Sequence, residues 1–311
     1  MRKLEPGDVL SYSAGSRQGG PYGFRVLSKQ GSKLKELLDR KWPQLLAGFG
    51  DRLPLVINAY PASLGRWDFG VSLDTYLSPS VGGRALELAH LEEMPVLLLG
   101  QPLFVAELLH HHLRSAEAGL PDTLLVGTGG YVMPRSLERA LRELCAPKLD
   151  RFELFHGYGV AEVDAACLLA VERNGTGQLV YEPRSDHVTV ELGADSELLL
   201  SLRDGDGTWV AERFATGDRG GKVDGGYVIW NDDRLDPNVA RFLESWTPAD
   251  WRRRTGYLAY GANVRIQARQ GVTPESEEEC DFFDFAKSYG QSWLVKPDWS
   301  VARSGGSARG K

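Results

Sequence analysis

The sequence predicts an α/β fold: a largely parallel sheet flanked by helices, followed by a smaller β-rich subdomain. Three observations carry that prediction. Between residues 8 and 130, apolar runs of strand length alternate with segments of helical spacing, the pattern that parallel strands and crossover helices produce. Two of those runs, Leu53–Ala59 (LPLVINA) and Pro95–Leu99 (PVLLL), are nearly continuous in apolar residues, as strands covered on both faces require. After about residue 170 helical spacing gives way to short runs punctuated by Gly, Asp and Asn, the texture of a β-meander.

In chain order, Asp8–Ser13 reads as a short strand leading into the glycine-rich stretch Gly15–Gly23. Ser32–Leu46 places Leu34, Leu37, Leu38, Leu45 and Leu46 at helical spacing. Leu53–Ala59 and Pro95–Leu99 follow as strands, Pro102–Ala118 as a helix and Thr123–Val126 as a strand. Pro134–Cys145 reads as a helix with Pro134 in its first turn, where a missing N–H costs nothing, and Phe152–Phe155 as the next strand. The meander comprises Gly177–Glu182, His187–Leu192, Glu197–Leu202, Thr208–Arg213, Gly220–Val223 and Tyr227–Trp230. The expected division is residues 1–170 for the α/β core, 171–237 for the β-rich subdomain and 238–311 for a C-terminal segment. That segment's end, from Ser304, has the Ser/Gly/Arg composition of a disordered tail.

Charge and composition narrow the function. The 311 residues carry 36 Lys and Arg against 42 Asp and Glu, a formal net charge of −6. A surface of that sign repels phosphate backbones, so nucleic-acid binding is not expected. No apolar run approaches the roughly 20 residues of a membrane-spanning helix, and the N-terminus shows no apolar leader. Cys145, Cys167 and Cys280 are odd in number and lack zinc-site spacing, which argues against a disulfide framework and fits a cytoplasmic protein.

Five segments at strand ends carry candidate chemistry. Ser13–Gly23 (SAGSRQGGPYG) can offer successive N–H groups as a nest for phosphate oxygens; the Walker spacing is absent, and a flexible turn explains the same composition. Gly127-Thr128-Gly129-Gly130 lacks the third glycine of a dinucleotide fingerprint and reads as a tight strand-to-helix turn beside a ligand. In His156-Gly157-Tyr158-Gly159-Val160-Ala161-Glu162, the Tyr158 ring can lie against a flat base and Glu162 can hold a magnesium ion; core packing and a surface acid are the alternative. In Thr216-Gly217-Asp218, the carboxylate either bonds its own backbone or accepts both hydroxyls of a ribose. Asp224–Asp236 is a hairpin and a charged loop. His110-His111-His112 falls on a helix, where i and i+2 side chains point apart, so no metal site is expected there. His156 either touches substrate or closes a strand end.

The order of these segments is more specific than any one of them. A Ser/Gly loop, GG before a helix, GYG-x-x-E, TGD and then GY…R-x-D resembles the adenylate-forming superfamily: AMP-binding acyl-CoA synthetases, nonribosomal adenylation domains and luciferases. Among its branches the phenylacetate-CoA ligase and acyl-protein synthetase types are the most similar. The resemblance covers about residues 8–237, with GYGVAE and TGD as its most specific elements. It implies activation of a small carboxylic acid by ATP with Mg2+, and transfer of the acyl group to CoA, a carrier protein or an enzyme thiol. By position, it implies that Ser13, Gly15, Ser16 and Gly19 form the phosphate loop and that Gly129 and Gly130 form the turn along the adenine and acyl pocket. Tyr158 then lies beside adenine, Glu162 is the magnesium-binding acid, Asp218 binds ribose, and Arg234 contacts ribose or phosphate. Glu162 and Arg234 are the expected catalytic pair, and Asp236 falls at the hinge of a C-terminal lid. Asn58–Gly65, with Trp67 and Phe69, either shapes the acyl pocket or is a plain strand exit.

The departures from the family are specific. The phosphate loop begins at about residue 12, Gln18 is an extra residue within it, and Tyr22 stands where a lysine is common. Ala161 replaces the usual threonine before the magnesium acid. Beyond Asp236 only Ser307–Lys311 is similar to the lid's lysine motif. These departures allow an alternative, a catalytically degenerate adenylate-binding or scaffold protein. They also lead to the expectation that a second subunit or second copy completes the site through Trp246, Trp251 and Arg252–Arg254, the alternative being that these residues pack within the chain.

Overall fold

A computed structural model of the chain describes residues 9–12, 24–27, 34–60, 70–115, 118–160, 162–230, 237–256, 258–260, 266–268 and 274–285. Strands β1 (Val9–Tyr12) and β2 (Phe24–Leu27) form an antiparallel pair. The main sheet then takes β3 (Leu55–Ala59), β4 (Val71–Asp74), β5 (Val96–Gly100), β6 (Thr123–Thr128), β7 (Arg151–Val160), β8 (Asp164–Ala170) and β9 (Glu182–Pro183) in the order β4-β3-β5-β6-β7-β8-β9. The first five in that order are parallel, and β8 and β9 are added antiparallel at one edge. Helices α1 (Leu34–Lys41), α2 (Pro43–Leu46), α3 (Pro79–Leu91), α4 (Pro102–His112) and α5 (Arg135–Cys145) flank it. A second, antiparallel sheet runs β10 (Val188–Leu192), β11 (Glu197–Arg203), β12 (Trp209–Val223), β13 (Gly226–Trp230). This is the α/β class with a smaller β-rich part that the sequence predicts. Among the described residues no helix is long and apolar enough to cross a membrane.

Burial on both faces explains the apolar runs. Along β5, Val96 and Leu98 enter the core under α3, α4 and α5, while Leu97 and Leu99 enter the opposite core with Leu38, Trp42 and Leu45 of the α1–α2 region. Successive side chains leave a strand on opposite faces, so a strand covered on both sides must be apolar at every position. A third core, containing Tyr158, Val160, Leu168, Tyr181, Val188, Leu198 and Leu200, joins β7 and β8 to the second sheet.

Strand β4 and helix α3 are two of the elements with no clear signal in the sequence. Strand β4 lies at the sheet edge and is mostly exposed, so it lacks an apolar run. Helix α3 contains Gly82 and Gly83, weak helix formers that hide it. At Gly82 a side chain would sit 2.3 Å from Leu108 Cδ1, so the glycine permits the close approach of α3 to α4. The helix expected to reach Ala118 ends at His112.

The described residues from 237 to 285 pack into the main core. They form α6 (Pro237–Glu244), α7 (Pro248–Arg254), β14 (Leu258–Tyr260), β15 (Ile266–Ala268), α8 (Glu277–Phe282) and β16 (Phe283–Phe285). Trp251 is 0% exposed and Trp246 6%, and their rings meet edge-on with centroids 4.7 Å apart. The Trp251 indole N–H donates to Ser136 Oγ at 2.9 Å, and that hydroxyl donates to the Leu243 carbonyl at 2.7 Å. Arg254 is likewise buried, stacked over Trp246 and ion-paired with Glu275 and Glu279. The expectation that Trp246 and Trp251 contact a second subunit is therefore corrected: both pack inside this chain, where their large apolar area is already removed from water.

One glycine ties the two sheets together. Tyr181 and Tyr227 exchange backbone hydrogen bonds of 2.8 and 2.9 Å, the bridge between the main-sheet side and β13. A side chain at Gly226 would lie 2.3 Å from the Tyr181 carbonyl oxygen, a backbone atom with little room to give. Gly226→Ala is expected to destabilise the chain by about 1–3 kcal/mol through overpacking, measurable by denaturant unfolding. An unchanged midpoint would contradict the bridge's role.

Candidate active site

The parallel strands end at one edge, and four of the residues singled out by their motifs, Gly129, Gly130, Tyr158 and Asp218, collect there. Gly129 N donates to the Gly100 carbonyl at 3.2 Å, closing the β6 exit against the β5 exit. Gly130 has φ +91°, a left-handed conformation that a side chain would strain. A cleft at this edge is lined by Gly130, Tyr131, Val132, Gly157, Tyr158, Gly159, Tyr181 and Ile229.

GYG lies within β7, which continues to Val160 rather than stopping at Phe155. The β7–β8 register slips between Tyr158 and Val160: Tyr158 pairs with Leu168 and Val160 with Asp164, so the extra residues bulge from β8 opposite Gly159. TGD also lies inside a strand, not in a turn between two. Leu199 pairs with Ala215 and Glu197 with Arg219, so β12 uses four residues where β11 uses two. Bulges break the regular alternation and re-aim side chains. Gly217, at φ +74°, makes the second one possible, and its N–H is held by Glu197 Oε1 at 2.8 Å. The Thr216 hydroxyl donates to the Leu198 carbonyl at 2.8 Å and accepts from Asp218 N at 3.1 Å.

These two irregularities bring together residues that are 60 positions apart. The Tyr158 hydroxyl donates to Asp218 Oδ2 at 2.7 Å, with each residue 8% exposed. Tyr181 meets the Tyr158 ring edge-on at 6.2 Å and completes an aromatic wall. A buried carboxylate that accepts from a neighbouring phenol is a fixed acceptor beside a flat aromatic surface, suited to a sugar hydroxyl and a base respectively.

Of the expected site residues, the structure thus gathers Gly129, Gly130, Tyr158 and Asp218. Glu162 lies half-buried in the turn between β7 and β8, closed by the Val163 N–H donating to the Val160 carbonyl at 2.9 Å. Ser13, Gly15, Ser16, Gly19, Arg234 and Asp236 lie outside the described residues, as do Trp67, Phe69 and the tail that ends in Lys311. Among the described residues no three His, Cys, Asp or Glu side chains cluster as a metal cage. A single carboxylate ligand, the part that Glu162 would play, is compatible with Mg2+, which is usually held by one or two carboxylates together with substrate phosphates.

Sequence reasoning missed the support beneath this edge. His156 is buried, and its Nδ1 lies 2.8 Å from the Thr128 hydroxyl while Nε2 faces Glu138 at 3.9 Å. Glu138 pairs with Arg173 at 2.9 Å, and Arg173 donates to the carbonyls of Met133 at 3.0 Å and Gly177 at 2.9 Å. The network fixes the ends of β6 and β7 and the 131–134 connection to α5. The first amides of α5 are satisfied from afar: Glu244 accepts from Arg135 N at 2.6 Å and from Ser136 N at 3.1 Å.

Burial lowers the pKa of His156 from 6.5 to about 4, against the upward pull of Glu138, so the ring is neutral near pH 7. The unfolded chain takes up a proton as pH falls through about 6.5, and the folded chain resists until about pH 4. Stability therefore falls on acidification across that window, by about 3 kcal/mol from this ring. His110, lowered to about 4 by burial and then by Arg252 and Arg114, adds a slope of the same sign. Denaturant unfolding of His156→Gln between about pH 7 and pH 4 is expected to lose less than the wild type by that amount. Parallel profiles would contradict the assignment.

No family model matches the chain, and no curated protein matches it. Solved structures do. Coronafacic acid ligase from Pectobacterium brasiliense aligns over 90% of this chain and 65% of its own, at 11% identity and a TM-score of 0.46. The long-chain-fatty-acid-CoA ligase FadD1 from Archaeoglobus fulgidus aligns over 71% of this chain and 50% of its own, at 13% identity and a TM-score of 0.48. IdnL7 aligns over 98% and 69%, at 13% identity and a TM-score of 0.49. The chain spans less than two thirds of the length of the first two.

Proposed function

We propose that the chain is an adenylate-forming ligase that activates a carboxylic acid with ATP. The observation that carries this reading is the buried contact between Tyr158 and Asp218 at the mouth of the parallel sheet, beside the Gly129–Gly130 turn. In the reaction, a carboxylate oxygen of the acid attacks the α-phosphorus of ATP. The bond from that phosphorus to the bridging oxygen breaks, leaving an acyl-adenylate and pyrophosphate. The acyl group then passes to CoA, a carrier protein or a thiol.

The chain contributes position and charge rather than covalent chemistry. Tyr158 packs against adenine, with the backbone of Gly129, Gly130 and Gly157 giving close access. Asp218 accepts from the ribose hydroxyls, its orientation fixed by the Tyr158 phenol and the TGD bulge. Ser13, Gly15, Ser16 and Gly19 supply N–H and hydroxyl donors to the phosphates, and Arg234 a cation. Glu162 is the residue to hold Mg2+, which supplies neutralisation of phosphate charge when bound. A second subunit that completes the site is part of this proposal, by contacts other than Trp246 and Trp251.

Glu162→Gln keeps the side chain's size and removes the charge a hard cation prefers. It is expected to lower pyrophosphate exchange by at least about tenfold, the loss of one charge-assisted contact, while a magnesium-free acyl-adenylate analogue still binds. Equal loss of both would make Glu162 a residue that shapes the pocket.

A further inference from the structure

Helix α5 opens without a cap of its own. Pro134 stands at the position that usually carries Ser, Thr, Asp or Asn, and its ring offers no acceptor to the first amides. Glu244, the last residue of α6, takes that part. Its two carboxylate oxygens accept separately, Oε1 from Arg135 N at 2.6 Å and Oε2 from Ser136 N at 3.1 Å. A carboxylate there also meets the positive end of the helix dipole. The acid that completes the start of α5 thus lies 109 positions beyond Arg135, in a separate element.

The element that carries Glu244 is anchored on α5 itself. Val239, Leu243, Trp246 and Trp251 are buried in the same core as Leu137 and Leu141. The Ser136 hydroxyl donates to the Leu243 carbonyl at 2.7 Å and accepts from the Trp251 indole at 2.9 Å, so it holds the residue next to Glu244 as well. On the other side of Pro134 run Gly130, Tyr131 and Val132, three residues of the cleft wall. The Tyr131 hydroxyl accepts from Leu103 N at 2.9 Å, and the Met133 carbonyl accepts from Arg173 at 3.0 Å. Only Met133 and Pro134 separate this wall from the first turn of α5. The proline ring fixes its own φ, so a shift of that turn is passed on to the wall.

We propose that Glu244 is a positioning residue for the cleft: by holding the first two amides of α5 it sets the course of residues 130–133. Helix α6 then acts on the cleft as a brace, without touching what binds there. The ligand that reports this, an acyl-adenylate analogue, rests on the adenylate-forming reading; the brace itself does not. Glu244→Gln leaves one oxygen to accept and turns an amino group toward the other N–H, donor against donor. One amide of the pair is then unpaired, the first turn loosens, and the wall attached to it shifts.

The test is a double-mutant cycle read by calorimetric titration of the full chain with non-hydrolysable butyrylsulfamoyl adenosine. Glu244→Gln is expected to weaken binding by about fivefold or more. Pro134→Asp gives α5 a local acceptor for the Ser136 or Leu137 amide, and in that background Glu244→Gln is expected to cost less than about twofold. Glu275→Gln breaks the ion pairs to Arg253 and Arg254 elsewhere in the C-terminal residues, and is expected to leave affinity within about twofold of the wild type. Equal losses from Glu244→Gln in both backgrounds, no loss in either, or the same loss from Glu275→Gln overturns the proposal and leaves the adenylate reading standing. If the folded wild type binds no analogue, the adenylate reading fails and amide spectroscopy decides on Glu244 alone. The Arg135 and Ser136 amides of the wild type are expected to be protected from hydrogen exchange, which needs no variant to measure. Glu244→Gln is expected to move the amide resonances of Gly130, Tyr131 and Val132. Unprotected first amides, or unmoved resonances at the wall, overturn the proposal.

Discussion

Replacing Asp218 with alanine is expected to weaken binding of an acyl-adenylate analogue by about tenfold or more. A charge-assisted hydrogen bond contributes about 1.5–3 kcal/mol, and Asp218 is proposed to make such bonds to the ribose. The variant also removes the acceptor of the 2.7 Å bond from Tyr158. A buried phenol left without that partner costs about 1–3 kcal/mol, so a fall in stability accompanies the loss of affinity. Tyr158→Phe separates the two effects: it keeps the ring and the carboxylate, and is expected to lose less affinity than Asp218→Ala. Titration calorimetry, with a melt of each variant, checks both. Full affinity in a folded Asp218→Ala protein would remove Asp218 from the site.

Trp251→Ala is expected to cost about 3–5 kcal/mol of stability, the range for deleting a large buried aromatic side chain. The indole is fully buried, packs on Trp246 and donates to Ser136, the second residue of α5. Its removal leaves a cavity between α5 and α7 and deprives Ser136 of a donor. Because α5 starts immediately after the Gly129–Met133 wall, looser packing there also reaches the cleft. Denaturant unfolding measures the first effect. A variant of wild-type stability with an altered mass in solution would restore the interface role that the core packing contradicts.

The parallel sheet was legible because its central strands are buried on both faces, and Leu53–Ala59 and Pro95–Leu99 advertise this. Where burial is one-sided or absent, as in β4, or where glycines serve packing, as in α3, the pattern fades. At the site, the identities of Tyr158 and Asp218 stood out through their glycine neighbours. Their contact did not, because it depends on two bulges that period-two reasoning reads as strand ends or turns. The support from His156, Glu138 and Arg173 was equally hidden, since those residues share no spacing and meet only through β6, β7 and α5. Trp246 and Trp251 carried the composition of an interface core, which is also the composition of a packed interior, and only burial tells the two apart.

The measurement that bears most directly on acid activation is ATP–pyrophosphate exchange by the full chain over a panel of aliphatic, aromatic, hydroxy and amino acids. The account predicts label passing from pyrophosphate into ATP only when an acid and magnesium are both present, and lowered at least about tenfold by Glu162→Gln. Exchange that needs no acid, or none with any acid by a folded chain, would contradict it.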